Sequence, residues 1–137
     1  MERTLVICKP DALERALVGD IIGRLEGKGL RMIAVELRTI DAATAGQHYG
    51  EHEGEAFFDG LIAFITGGPA LLMVVEGPEG TVDTVRLLIG ATDPAKAEPG
   101  TIRGDLATET TRNLVHASDS IESAAREIDL FFPNLTS

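Results

Sequence analysis

Asn113-Leu-Val-His-Ala-Ser-Asp-Ser120 joins a strand to a helix and places one histidine near the junction. Residues 113–117 read as a strand, with Leu114 and His116 on one face and Val115 on the other. Ser118, Asp119 and Ser120 then offer capping oxygens, and Glu122 follows Asp119 at capping-box spacing. A side chain near the end of a strand is held firmly. The free N–H groups of the helix that follows suit a phosphate. Such a seat fits a nucleophilic imidazole. Taken alone, a histidine on a strand face is more often a half-buried residue with one satisfied hydrogen bond.

Upstream, residues 3–9 read as a strand, and Leu5–Cys8 is apolar on both faces, as in a central strand. Pro10 suits the first turn of a helix. Val18, Ile21, Ile22 and Leu25 follow the i, i+3, i+4, i+7 template, and Gly27 and Gly29 end that helix. Residues 31–40 alternate, with Ile33, Val35 and Leu37 facing one way and Glu36 and Arg38 the other. A polar helical segment spans about 42–49. Phe58, Leu61, Ile62 and Ile65 mark another helix, closed by Gly67-Gly68-Pro69. Residues 70–75 form a second central strand. Val82, Val85 and Ile89 mark a helix, and so do Ile121, Ala124, Ala125 and Ile128. The order β-α-β-α-β-α-β-α suits a parallel α/β sheet. It equally suits the split β-α-β of a ferredoxin-like fold with an antiparallel four-stranded sheet. Residues 92–112 break the rhythm with Pro94, Pro99, Gly100 and Gly104, and read as a long loop, functional or disordered.

The chain has 137 residues, enough for one domain that needs no disulfide or metal staple. The single Cys8 cannot form an internal bridge; it lies in an apolar run and reads as core. No apolar stretch approaches the roughly 20 residues that span a bilayer. The first residues enter a strand without a signal peptide's apolar region. A cytoplasmic protein with no membrane association is the expectation. The net charge is −10, which argues against nucleic acid as the main ligand. No Lys or Arg lies between Arg38 and Arg86. Arg86, Arg103 and Arg112 then precede His116. Scarce cations on an acidic chain can focus a positive field in a cleft, or can be solvated surface charges. There is no P-loop, for Gly23-Arg-Leu-Glu-Gly-Lys-Gly lacks the pattern, and no protein-kinase motif set. His48 and His52, beside Glu51 and Glu53, lack the H-E-x-x-H order of a zinc site.

The run Asn113-x-x-His116-Ala117-Ser118-Asp119-Ser120 resembles the active-site signature of nucleoside diphosphate kinases. The likeness extends over about residues 3–133. It includes Thr4-Leu-Val-Ile-Cys-Lys9-Pro10-Asp11, His48-Tyr49 with Phe57-Phe58, and Pro99-Gly-Thr-Ile-Arg103-Gly-Asp105, in the family's order. The resemblance implies the ferredoxin-like α+β fold over one domain, 1–137. It also implies ping-pong transfer of a γ-phosphate from a nucleoside triphosphate, through a phosphohistidine at His116, to a nucleoside diphosphate. His116 attacks through Nδ1 in this reading. Glu127 orients the ring; read bare, it is a solvent-facing helix residue. Ser118 and Asn113 add hydrogen bonds. Lys9, Arg86, Arg103 and Thr92 hold phosphates, Tyr49 supports Lys9, and Phe57 stacks on the base, since Phe58 fits the helical core stripe better. Mg²⁺ bridges the nucleotide's phosphates with few or no protein ligands. A homo-oligomer is implied, a hexamer over a tetramer, with Pro94's loop supporting the assembly. Ala117, Ala56, Thr110 and Phe131 depart from the commonest family pattern, and none removes a catalytic group. The competing reading is a non-catalytic ferredoxin-like module that binds nucleotides or regulates.

Overall fold

The computed structural model describes residues 1–135. Its strands, β1 (Glu2–Cys8), β2 (Arg31–Arg38), β3 (Ala70–Gly77) and β4 (Val115–Ala117), form one sheet in the order β2-β3-β1-β4. Every neighbouring pair is antiparallel. This is the ferredoxin-like α+β arrangement, and it excludes the parallel alternative that the element order left open. The helices are α1 (Pro10–Glu14), α2 (Val18–Gly27), α3 (Ala42–His48), α4 (Phe58–Ile65), α5 (Thr81–Ile89), α6 (Ile102–Leu106) and α7 (Ile121–Phe131).

The doubly apolar strands sit at the centre because both of their faces are covered. Val6, Cys8, Met73 and Val75 pack under Ile21 and Leu25 of α2 and Val85 and Ile89 of α5. Leu5, Ile7, Leu72 and Val74 pack under Ala45 of α3, Ile65 of α4 and Phe131 of α7. Cys8 is fully buried, and burial pushes its thiol up to about 12, so it is an inert core residue.

Four details depart from the sequence reading. β4 begins at Val115 instead of residue 113, because Leu114 adopts φ 76°. That left-handed turn breaks the alternation. Leu114 goes into the α2/α5 layer, while His116 stays on the opposite face beside His48, whose ring also meets Phe131. Such a conformation costs a leucine on the order of 1–3 kcal/mol. Two bonds hold it: Leu114 N–H donates to Asp11 Oδ2 at 3.1 Å, and Lys9 N–H donates to the Leu114 carbonyl at 2.9 Å. In β2 the pairing skips between Met32 and Ala34, a bulge. Ile33 and Ala34 therefore both reach the core, and Val35 and Leu37 are exposed. The segment 92–112 contains α6, capped by Thr101, whose Oγ1 accepts from Gly104 N–H at 2.9 Å. Gly104 is required there, since a Cβ would lie 2.0 Å from the Glu98 carbonyl oxygen. Finally, α7 is capped by Ser120 instead of Asp119, with Ser120 Oγ accepting from Ser123 N–H at 3.0 Å. Its buried stripe runs Ala124, Glu127 and Phe131, and Ile121 and Ala125 are exposed.

Candidate active site

The bend at Leu114 turns the Asn113 side chain toward the end of β1. Lys9, the N-cap residue of α1, donates from Nζ to Asn113 Oδ1 at 2.8 Å. Asn113 Nδ2 donates to the Thr92 carbonyl at 3.0 Å. Arg103, on α6, donates from Nη2 to the Val115 carbonyl at 2.6 Å and from Nη1 to the Gly90 carbonyl at 3.1 Å. Its Nε donates to the Asn113 carbonyl at 3.4 Å. A guanidinium has five N–H donors. One N–H on each terminal nitrogen is therefore left over for a ligand. Arg86, on α5, donates from Nη1 to the Ala117 carbonyl at 3.3 Å and pairs with Asp119 Oδ1 at 3.1 Å. Backbone carbonyls thus hold the two arginines, with Asp119 also on Arg86, and the Asn113 side chain holds Lys9.

His116, the central residue of β4, meets Glu127 of α7. Its Nε2 lies 2.8 Å from Glu127 Oε1. The same oxygen accepts from Ser118 Oγ at 2.8 Å, and Ser118 Oγ accepts from Leu5 N–H at 3.2 Å. Glu127 is 4% exposed, so the solvent-facing reading of this residue does not hold. Its burial raises the carboxyl pKa, but the hydrogen bond and charge from His116 outweigh that and hold it below the ordinary value. An ionised Glu127 accepts from Nε2–H, which fixes the tautomer and leaves Nδ1 as the ring nitrogen with a lone pair.

The remaining expected residues converge on the same place. Lys9, Tyr49, Phe57, Arg86, Thr92, Arg103, Asn113, His116 and Glu127 all line one cleft of about 600 Å³. Phe57 is half exposed at its mouth, while Phe58 is partly buried. Thr110 and Ala56 also line the wall. Ser118 stands behind, fully buried. Arg112 is not part of the cleft wall; it pairs with Glu14 at 2.8 Å and lies over the Phe64 ring. Volume alone does not select the site, because a second cleft of about 600 Å³ lies between Glu2, Glu79, Ile128 and Phe132. The cation set and the ordered imidazole select it.

Sequence reasoning missed two residues. Asp11 holds the Leu114 bend, and burial raises its pKa. The sequence sets His48 beside His52 and Tyr49, without a contact to His116. Instead, His52 faces Glu51 and Glu55 at the surface, and His48 packs its ring edge-to-face on His116, centroids 4.6 Å apart. Tyr49 and Phe131 close around it. His48 is buried, and among the described residues neither of its ring nitrogens has a hydrogen-bond partner. Only the adjacency His48-Tyr49 hinted at this.

Electrostatics follow from burial. Burial, then the Arg103 charge, pushes Lys9 down to about 8, with Asp11 opposing. Burial, then Arg86, pushes Arg103 down to about 10. Tyr49 is pushed up to about 12 by burial and Glu127, so its hydroxyl stays neutral. Burial, then His116, pushes His48 down to about 3. In the folded state His48 stays neutral over a range where the unfolded chain takes a proton. Its stability contribution is full above about pH 6.5 and is lost as pH falls toward 3. The slope is about 1.4 kcal/mol per pH unit for one proton. Urea unfolding at pH 7, 5 and 4 should show this loss, and His48→Phe should flatten it by one proton's worth. Equal slopes for the two proteins would contradict the assignment.

A family model described as nucleoside diphosphate kinase matches residues 2–136. A nucleoside diphosphate kinase of Parafrankia sp. is 56% identical over 135 residues, covering 98% of each chain. That of Frankia casuarinae is 57% identical over 136 residues, covering 99% of this chain and 98% of the relative. Among solved structures, the halophilic nucleoside diphosphate kinase of Halobacterium salinarum in complex with CDP superposes with a TM-score of 0.94 at 50% identity. It covers 97% of this chain and 88% of the other.

Proposed function

The chain belongs to the nucleoside diphosphate kinase family, and from that premise we propose how its cleft works. The reaction moves the γ-phosphate of a nucleoside triphosphate to a nucleoside diphosphate. The observation that carries the mechanism is the 2.8 Å contact between His116 Nε2 and Glu127 Oε1. With Nε2–H committed to Glu127, the Nδ1 lone pair is the nucleophile. It attacks the γ-phosphorus; an N–P bond forms as the bond from the γ-phosphorus to the β,γ-bridging oxygen breaks. The electron pair leaves with the nucleoside diphosphate. Glu127 stabilises the charge that develops on the ring. In the second half, a terminal oxygen of the incoming diphosphate attacks the phosphorus, the N–P bond breaks, and neutral His116 is restored.

Phosphoryl transfer depends mainly on positioning and charge stabilisation. Lys9 supplies a point charge at the end of β1. Arg86 and the two remaining N–H groups of Arg103 supply donors, and the Thr92 hydroxyl adds one. Tyr49 supports this phosphate region as a neutral hydroxyl. Phe57 stacks on the base, and a π-face accepts any base. The acidic groups at the cleft suit a Mg²⁺ held by the nucleotide instead of by protein. Glu127 is engaged with His116 and Ser118, Asp119 with Arg86, and Glu51 lies 3.7 Å from His52. Bound there, Mg²⁺ shields the phosphate charges.

Two-substrate initial rates test the reading. Parallel double-reciprocal lines for ATP and a diphosphate acceptor are expected, and intersecting lines would point to a ternary complex. The Lys9 charge adds a pH signature. Activity measured as kcat/KM should fall as pH rises through about 8, where free Lys9 loses its proton. In Lys9→Arg this limb should move above pH 9; an unmoved limb would assign it to another group. We further propose that residues 1–137 act as one cytoplasmic domain. No helix among the described residues is long and apolar enough to cross a membrane. We place the chain in a homo-oligomer, a hexamer over a tetramer. Exposed Val35 and Leu37 on the edge strand β2 support pairing with another copy.

A further inference from the structure

We propose that His48, His116 and Glu127 form a binding site for a borderline transition-metal dication such as Zn²⁺, and that its occupancy blocks phosphorylation of His116. One ligand atom from each residue lies within 4.8 Å of the other two. The decisive member is His48. It is 5% exposed, and neither ring nitrogen has a hydrogen-bond partner among the described residues. A buried imidazole in that condition normally has a partner. Its ring stands at 86° to that of His116, with centroids 4.6 Å apart. Two imidazoles and a carboxylate are the donor set of an open zinc site, with a fourth position left for water. Zinc ligands at about 2.0–2.1 Å in a tetrahedron are about 3.3 Å apart. The triad therefore has to shift by at most about 1.5 Å, with the 2.8 Å contact of His116 and Glu127 opening slightly, within the reach of small side-chain rotations.

The set distinguishes between cations. Imidazole nitrogens suit zinc and its neighbours, whereas Mg²⁺ takes oxygen ligands in a near-octahedral shell. Magnesium that travels with a nucleotide is thus not held here. Zinc replaces the contact between His116 and Glu127, so the ring that has to attack phosphorus is no longer oriented for it. His52, with Glu51 and Glu55, is the nearest competing cluster, but it lies at the surface and carries one imidazole.

The inhibitory half of this proposal rests on the reading of His116 as phosphoacceptor; the binding half does not. The full chain, free of nucleotide, is titrated with Zn²⁺ against a chromophoric zinc indicator. One zinc per chain is expected, with affinity at least tenfold lower in His48→Phe, which keeps the ring bulk and removes both donors. Zinc-edge anomalous scattering from crystals of the wild type locates the ion without relying on any variant. A peak bonded to His48, His116 and Glu127 supports the site. A peak at His52, or no stoichiometric uptake, overturns it. Phosphate uptake from ATP and Mg²⁺ is then measured with and without one equivalent of zinc. Loss of uptake only with zinc supports the block, and unchanged uptake at full zinc occupancy overturns it. Failure of uptake in zinc-free protein would instead count against the kinase mechanism itself.

Discussion

His116→Ala is expected to lose at least about 10⁴-fold in phosphotransfer, the scale seen when a covalent nucleophile is removed. The fold should survive. His116 sits in a three-residue strand whose other two side chains, Val115 and Ala117, face the core. The variant leaves the Glu127 carboxylate with Ser118 Oγ and, at 3.5 Å, Arg126 Nη2, at a stability cost of about 1–3 kcal/mol. Nucleotide affinity should change little, because Lys9, Arg86, Arg103 and Phe57 remain. Steady-state rates together with a nucleotide-binding titration separate these outcomes. A variant that keeps more than a few per cent of wild-type turnover would mean that phosphate passes directly between nucleotides.

Arg103 offers the second large effect, because one guanidinium serves both the cleft and the scaffold. Three of its N–H groups hold the carbonyls of Val115, Gly90 and Asn113. Arg103→Ala takes the guanidinium donor from the Val115 and Gly90 carbonyls, while the Asn113 carbonyl keeps Val115 N–H at 2.9 Å; the loss is expected to cost about 2–5 kcal/mol of stability. It also removes the two donors left for phosphate, at about 1.5–3 kcal/mol each, or about 10²–10⁴-fold in kcat/KM. Arg103→Lys restores a charge but not the fork. It should recover part of the binding while remaining at least tenfold slower and less stable than wild type. Thermal melts and kcat/KM on the two variants check this. Wild-type stability in Arg103→Ala would show that α6 does not depend on the arginine.

These two residues also mark how far the sequence could be read. His116 was legible because its neighbours carry chemistry in sequence: Asn113, Ser118 and the cap serines lie within a few positions. Leu5–Cys8 was legible as a central strand because every residue in it is apolar. Arg103's role as a strut was not legible, since it depends on the Leu114 bend. A leucine at φ 76° has no local signature; it is held by Asp11, more than a hundred positions away. α6 escaped because five residues are too few to show a period, although Thr101 supplied a cap. The β2 bulge hid for a related reason: one extra residue shifts the alternation and exposes Val35 and Leu37. Glu127 read as a surface residue because it is charged and sits beside Arg126, yet it meets His116 on β4 and Ser118 just after it. His48 met its partner only through the packing of α3 against α7.

The most direct test of the central claim is to isolate the intermediate. Wild-type protein is incubated with γ-labelled ATP and Mg²⁺, freed of nucleotide, cleaved, and the label mapped. Near-stoichiometric, acid-labile label on the peptide carrying His116, moving to GDP on addition, is the expected result. Label on another residue, or none on a protein that still turns over, would contradict the account.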